Sequence, residues 1–217
     1  MPRLFTYILA NDDGAAPNPF HGMCSLAICK PGIRRTAQPG DWIAGLGSKN
    51  ARSGNLSGSL VYAMRVEEVL SLEDYDSQAP SRWPHRVPNP NSTLRQDHLG
   101  DCIYDFSSGT PVQRPGVHNL GNRDRDLGGR NVLLSRDFYY FGRQAPPLPE
   151  SLQPIRHQNQ GHRSTANAGY FQQFVDWVRS FPPAPGHLYG EPDWNEAASC
   201  GSGRCPTRRQ CGGGNPV

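Results

Sequence analysis

Lysine is scarce in this chain: two residues, Lys30 and Lys49, among 217, against 20 arginines. Such a skew reflects first a GC-rich genome. It also leaves anion binding largely to arginine, whose planar fork pairs bidentately with phosphate or guanine. Long apolar runs are missing as well. No stretch approaches the ~18 residues that cross a bilayer, and the opening MPRLFTYILA runs straight into NDDG with no signal-type cleavage region. The expectation is a cytoplasmic protein with no membrane partner. The GxxxxGK[ST] spacing of a P-loop and the GxGxxG of a dinucleotide fold are both absent, so GLGS at 45–48 supports nucleoside triphosphate hydrolysis poorly. The six cysteines (24, 29, 102, 200, 205, 211) include no C-x2-C pair. No metal site is expected, and free thiols are the default state in a reducing compartment.

What is present fits one ordinary domain with an appendage. Hydrophobic residues make up 35% of the chain, while 24 glycines and 21 prolines promise many turns and few long helices. A net charge of +3 and a pI near 8.6 permit contact with nucleic acid without requiring it.

Along the chain, LFTYILA (4–10) reads as a strand and NDDGAAPNPF as the loop after it. MCSLAICK is a second apolar run, closed by Pro31. IRRTA reads as one helical turn before Pro39 and Gly40 reset the chain into the strand DWIAGLG, and LVYAMRVEEVL follows as a strand. Residues 71–91 carry four prolines and read as a surface excursion; 98–106 reads as a strand, 107–130 as loop, and NVLLSRDFYYFGR (131–143) as the best strand of the second half. Phe171, Phe174, Val175 and Val178 recur at helical spacing within 169–180. Residues 1–196 are expected to form the domain and 197–217 a disordered tail. Strands first and a helix late is an α+β order.

Several groups of residues have the chemistry of a site. Asn11, Asp12 and Asp13 close the first strand, where the alternative to a ligand site is an Asx turn with Gly14 at positive φ. CKPGIRR brings Lys30, Arg34 and Arg35 together, and GLGSKN adds Ser48, Lys49 and Asn50; either cluster suits a phosphate. Trp42 and Trp83 are candidates to stack on a base, which is worth roughly 1–3 kcal/mol. Arg136 with Tyr140, and His98 with Asp101, offer charged and acid–base types on two expected strands, and His162 stands beside Arg163. Cys24 and Cys29 read as small core residues, because a nucleophilic cysteine needs a histidine partner that the sequence does not locate.

The motifs APNPF (16–20, with Asn18), CKPGIRR (29–35), GDW (40–42), SRDFYYFGR (135–143) and QGHR (160–163) together resemble the nucleotide modification associated domain family, type two. The Gly-Asp pair opening a strand, followed by a small-residue loop, is also similar to the PUA-like superfamily of EVE, YTH and ASCH domains. The resemblance implies a small curved PUA-like mixed β-barrel with short helices and a helix near its end, and a role in making or recognising modified bases. It supplies no cofactor, reaction or catalytic residue. Two functions therefore stand. The first is a module that binds nucleic acid or a nucleotide, with a basic turn for phosphate and an aromatic pocket for the base. The second is an enzyme of a base-modification pathway using Asp12, Asp13, Lys49, His98 or His162. A third reading is a subunit that only contacts partner proteins of such a system.

Overall fold

The computed structural model describes residues 1–156, 161–182 and 185–194; the expected tail and its three cysteines lie outside the described residues. Its main sheet has five strands in the order β1 (Leu4–Leu9), β3 (Trp42–Gly47), β4 (Leu60–Arg65), β9 (Phe138–Tyr140) and β10 (His187–Leu188). β1 runs parallel to β3, in register from Leu4 opposite Trp42 to Leu9 opposite Gly47. A second, antiparallel sheet orders β2 (Cys24–Leu26), β8 (Asn131–Ser135) and β5 (Glu68–Ser71), and β6 (Tyr104–Asp105) pairs with β7 (Val112–Gln113).

The two larger sheets share their chain. β4 bends after Arg65 and continues as β5, and β8 bends after Ser135 and continues as β9. At this corner Arg65 donates its N–H to the Asp137 carbonyl (2.9 Å) and Glu67 donates to Leu134 (3.0 Å). The architecture is α+β. Among the described residues the strands form three sheets and no closed barrel, because the outer strands β1, β10, β2 and β5 do not pair with one another.

Both faces of the main sheet are buried, which is why its strands read as nearly continuous apolar runs. Phe5, Tyr7, Ile43, Met64 and Tyr140 face the second sheet, while Leu4, Trp42, Ala44, Ala63 and Tyr139 face α5 (Phe171–Arg179). This helix falls where the spacing placed it, and buries Phe174 and Val178. A Cβ on Gly47 would lie 2.4 Å from the Leu56 carbonyl oxygen, so the small residue at the end of β3 lets the 48–59 loop fold back across the strand.

Three expectations need correction. The excursion at 71–91 contains α2 (Leu72–Arg82), started by Ser71, whose Oγ accepts from Asp74 N–H at 2.9 Å. The helix survives because Pro80 falls in its last turn, where one lost hydrogen bond matters least. The expected strand at 98–106 is mostly irregular: α3 (Arg95–His98) ends where it should begin, and only Tyr104 and Asp105 pair. The segment 107–130 contains α4 (Arg123–Leu127). No helix among the described residues is long and apolar enough to cross a membrane.

Candidate active site

The parallel pairing of β1 and β3 sends the two loops that follow them out from the same end of the sheet. Asn11, Asp12 and Asp13 leave β1 there, and Ser48, Lys49 and Asn50 leave β3. Hollows open on either side of the β1 exit. The first is a cleft of about 490 Å³ with Leu9, Ala16, Ile28 and Ile33 among its apolar walls and Lys30 and Arg125 among its basic residues. Asp13, Cys29, His118 and His162 also line it. The second, about 480 Å³ and more polar, is lined by Asp12, Ser48, Asn50, Arg52 and Asp193. Leu9, Ala10 and Asn11 form the wall between them. Lys49 belongs to a third hollow beyond Ser48, with Arg156.

One side of the cleft holds an arrangement with no counterpart in the sequence reading. Cys29 Sγ lies 3.4 Å from His118 Nε2, and His118 Nδ1 lies 2.5 Å from Asp126 Oδ2. Asp126, fully buried, also accepts from Cys29 N–H (2.8 Å) and from the Tyr104 hydroxyl (3.0 Å). Burial alone would lower the His118 pKa. The hydrogen bonds to Asp126 and Cys29 outweigh it and raise the ring to about 10, so the imidazolium is the resting form at neutral pH. Cys29 and Lys30 adopt left-handed backbone angles, with φ of 58° and 39°. For residues other than glycine this costs of order 1–3 kcal/mol, and it persists only where surrounding contacts enforce it.

Arg34 supplies that enforcement. Expected to face a phosphate, it is instead fully buried, with Nε donating to the Cys29 carbonyl (2.8 Å) and Nη1 to Asn131 (2.9 Å), while Nη2 donates to the Asp126 carbonyl. Burial lowers its pKa to about 10. A Cβ at Gly129 would come within 2.1 Å of the guanidinium carbon, so that glycine makes the room. One guanidinium thus fixes the main chain at two of the three residues beside the cleft.

The remaining candidates separate by place. Lys30 lies in the cleft, 4.4 Å above the Tyr7 ring and donating to the Ile8 carbonyl (3.3 Å), and His162 forms a wall, tilted on Phe5. Asp13 makes the Asx turn, accepting from Ala15 N–H at 3.0 Å, and Gly14 has φ of 82°. Asp12 accepts from the Tyr140 hydroxyl (2.5 Å), and its other oxygen, Oδ2, is buried with no partner. Burial raises the Asp12 carboxyl to about 7 against that stabilising bond, and the charges of Asp13 and Asp193 add to the rise.

Others stand apart from the cleft. Asn18 is buried and donates to the Leu99 carbonyl (2.9 Å). Trp42 is 2% exposed beneath α5, edge-on to Phe174. Trp83 lies under the Arg82 guanidinium on the far side, beside a cavity of about 60 Å³ that it shares with Arg136, too small for a base. Arg35 is exposed and donates to Gly128. His98, also exposed, contacts the Ser92 carbonyl; Asp101 is held instead by Ser25 and Tyr75, so the two make no pair. The rings that line the cleft are the imidazoles of His118 and His162, and neither Trp42 nor Trp83 is among its lining residues.

No curated protein and no solved structure matches the chain. A family model does, over residues 1–199, and by that match the chain belongs to the family of nucleotide modification associated domain 2.

Proposed function

We propose that the cleft beside β1 binds a nucleotide, free or within a nucleic acid, as one step of a base-modification system. The observation that carries this reading is the composition of the cleft: apolar walls with Lys30 and Arg125 among its lining residues, at a volume within the usual 300–1,000 Å³ of small-molecule sites. Apolar walls suit a base, and the two cations suit its phosphate. His162 and Asn11 offer hydrogen-bonding groups to the base edge. A cytoplasmic location and partner proteins of the same system follow from this reading. The bent strands that carry the chain from one sheet into the other support a PUA-like ancestry, with the barrel left open.

The test is binding of the purified chain to free nucleotides and to plain and modified-base DNA, each at low and moderate salt. Binding should weaken steeply with salt, and Arg125→Glu, at an exposed position, should weaken it by about an order of magnitude. Absent or salt-insensitive binding overturns the proposal. The enzyme reading is favoured by a separate observation, the Cys29, His118 and Asp126 geometry.

A further inference from the structure

We infer that Cys29, His118 and Asp126 form a catalytic triad for acyl transfer, with Cys29 as nucleophile, and that the chain cleaves an ester, thioester or amide carried by the ligand of the cleft. Where that ligand is a nucleotide or modified base, the inference rests on the function proposed above. The chemistry of the triad stands on its own geometry.

The order of contacts is the one such chemistry needs. His118 presents Nε2 to the sulfur at 3.4 Å, and its Nδ1 is locked by a buried carboxylate at 2.5 Å, which fixes both tautomer and ring orientation. The sulfur is in reach of a ligand, since Cys29 is half-buried and lines the cleft with His118. The strained turn at Cys29 and Lys30 is held by the same carboxylate, through Cys29 N–H, and by Arg34, through the Cys29 carbonyl. Cys24 and Cys102, in contrast, are buried, and burial pushes the Cys102 thiol up to about 12 and the Cys24 thiol well above the ordinary range.

The reaction balances without a further reagent. The nucleophilic form of a cysteine is the thiolate, and an imidazolium at hydrogen-bond distance favours it. The thiolate attacks the acyl carbon and a C–S bond forms. As the bond to the leaving oxygen, sulfur or nitrogen breaks, His118 gives it the Nε2 proton. Neutral His118 then takes a proton from water as that water attacks the thioester; the C–S bond breaks and the thiolate and imidazolium are restored. The sum is one water consumed, with an acid and an alcohol, thiol or amine released. A histidine so placed supplies the proton with which the heteroatom leaves. Asp126 is a positioning residue, acting through His118.

The test uses the full chain and p-nitrophenyl acetate as the probe. Release of p-nitrophenol should coincide with an acetyl adduct on the Cys29 peptide, formed faster than on any of the other five cysteines. Cys29→Ser should abolish it, and His118→Gln should slow it by about 100-fold or more. Asp126→Asn should displace the pH profile of adduct formation, which a purely structural role would leave in place. If His118→Gln does not fold, the competition among cysteines in the unaltered chain decides. An adduct spread evenly over the cysteines, or one formed as fast in folded His118→Gln, overturns the inference. So does zinc held one to one by the unaltered chain and lost in Cys29→Ser, with no adduct. Nucleotide binding by Cys29→Ser separates the two proposals. If it binds and the unaltered chain forms no adduct, the catalysis falls and the binding site stands. If the adduct forms and no nucleotide binds, the reverse holds.

Discussion

At the scale of single residues, Asp12 couples the fold to pH. Its folded pKa, about 7, lies above the ~3.9 of an unfolded chain, so the fold prefers the neutral acid. The stability from that preference is full below about pH 4 and is lost as pH rises through about 7, at most about 4 kcal/mol over the window. Asp12→Asn keeps an acceptor for Tyr140 and cannot ionise. Urea unfolding should show the variant gaining on the parent from about pH 4 to about pH 7 and holding that gain above it; parallel profiles would mean that Asp12 titrates normally. The sequence showed residue types here and not their contacts. The Asx turn at Asp13 was legible because its bonds are local. Arg34 was misjudged because its partners at Asp126 and Asn131 are more than 90 residues away, as was Cys29, whose histidine lies 89 residues on in a stretch that reads as plain loop.

At the scale of elements, α1 (Pro31–Thr36) matters through the face it turns to the cleft. A Cβ on Gly32 would lie 2.9 Å from His162 Cε1, so the imidazole wall depends on a residue without a side chain. Gly32→Ala improves helix propensity by about 1 kcal/mol and pushes His162 aside. We expect thermal stability to stay within about 1 kcal/mol of the parent while nucleotide affinity falls by up to about an order of magnitude. Unchanged affinity would remove His162 from the site. This helical turn was readable from IRRTA, as α5 was from its apolar spacing. By contrast, α2 was hidden behind the prolines around it. NVLLSRDFYYFGR read as one strand because nothing in a run of apolar residues says that Arg136 and Asp137 turn the chain from one sheet into the other.

At the scale of the molecule, the α+β order was legible; the expected barrel does not close among the described residues, and closure depends on pairings between distant edges that the sequence does not show. The last described segment, residues 185–194, ties several regions together. β10 pairs with β9, Arg143 N–H donates to Glu191 (3.0 Å), Ser53 N–H donates to Asp193 (3.1 Å), and Trp194 stacks on Phe20 with ring centroids 5.8 Å apart. Ending the chain at residue 185 removes Trp194 from Phe20 and Tyr189 from Phe141. With roughly 1.5–3 kcal/mol for each large apolar side chain exposed, calorimetry should show at least about 3 kcal/mol lost; an unchanged transition would mean that the segment merely rests on the surface. The corner where β4 becomes β5 and β8 becomes β9 matters in another way. Two sheets stacked as separate layers can slide, but two sheets that share a backbone on both sides of a fold line cannot. The cleft hangs from β1 in one sheet and from β2, through the turn at Cys29, in the other, so its jaws are held at a set gauge. On the proposed function, such a cleft would select its ligand by shape, as a mould does.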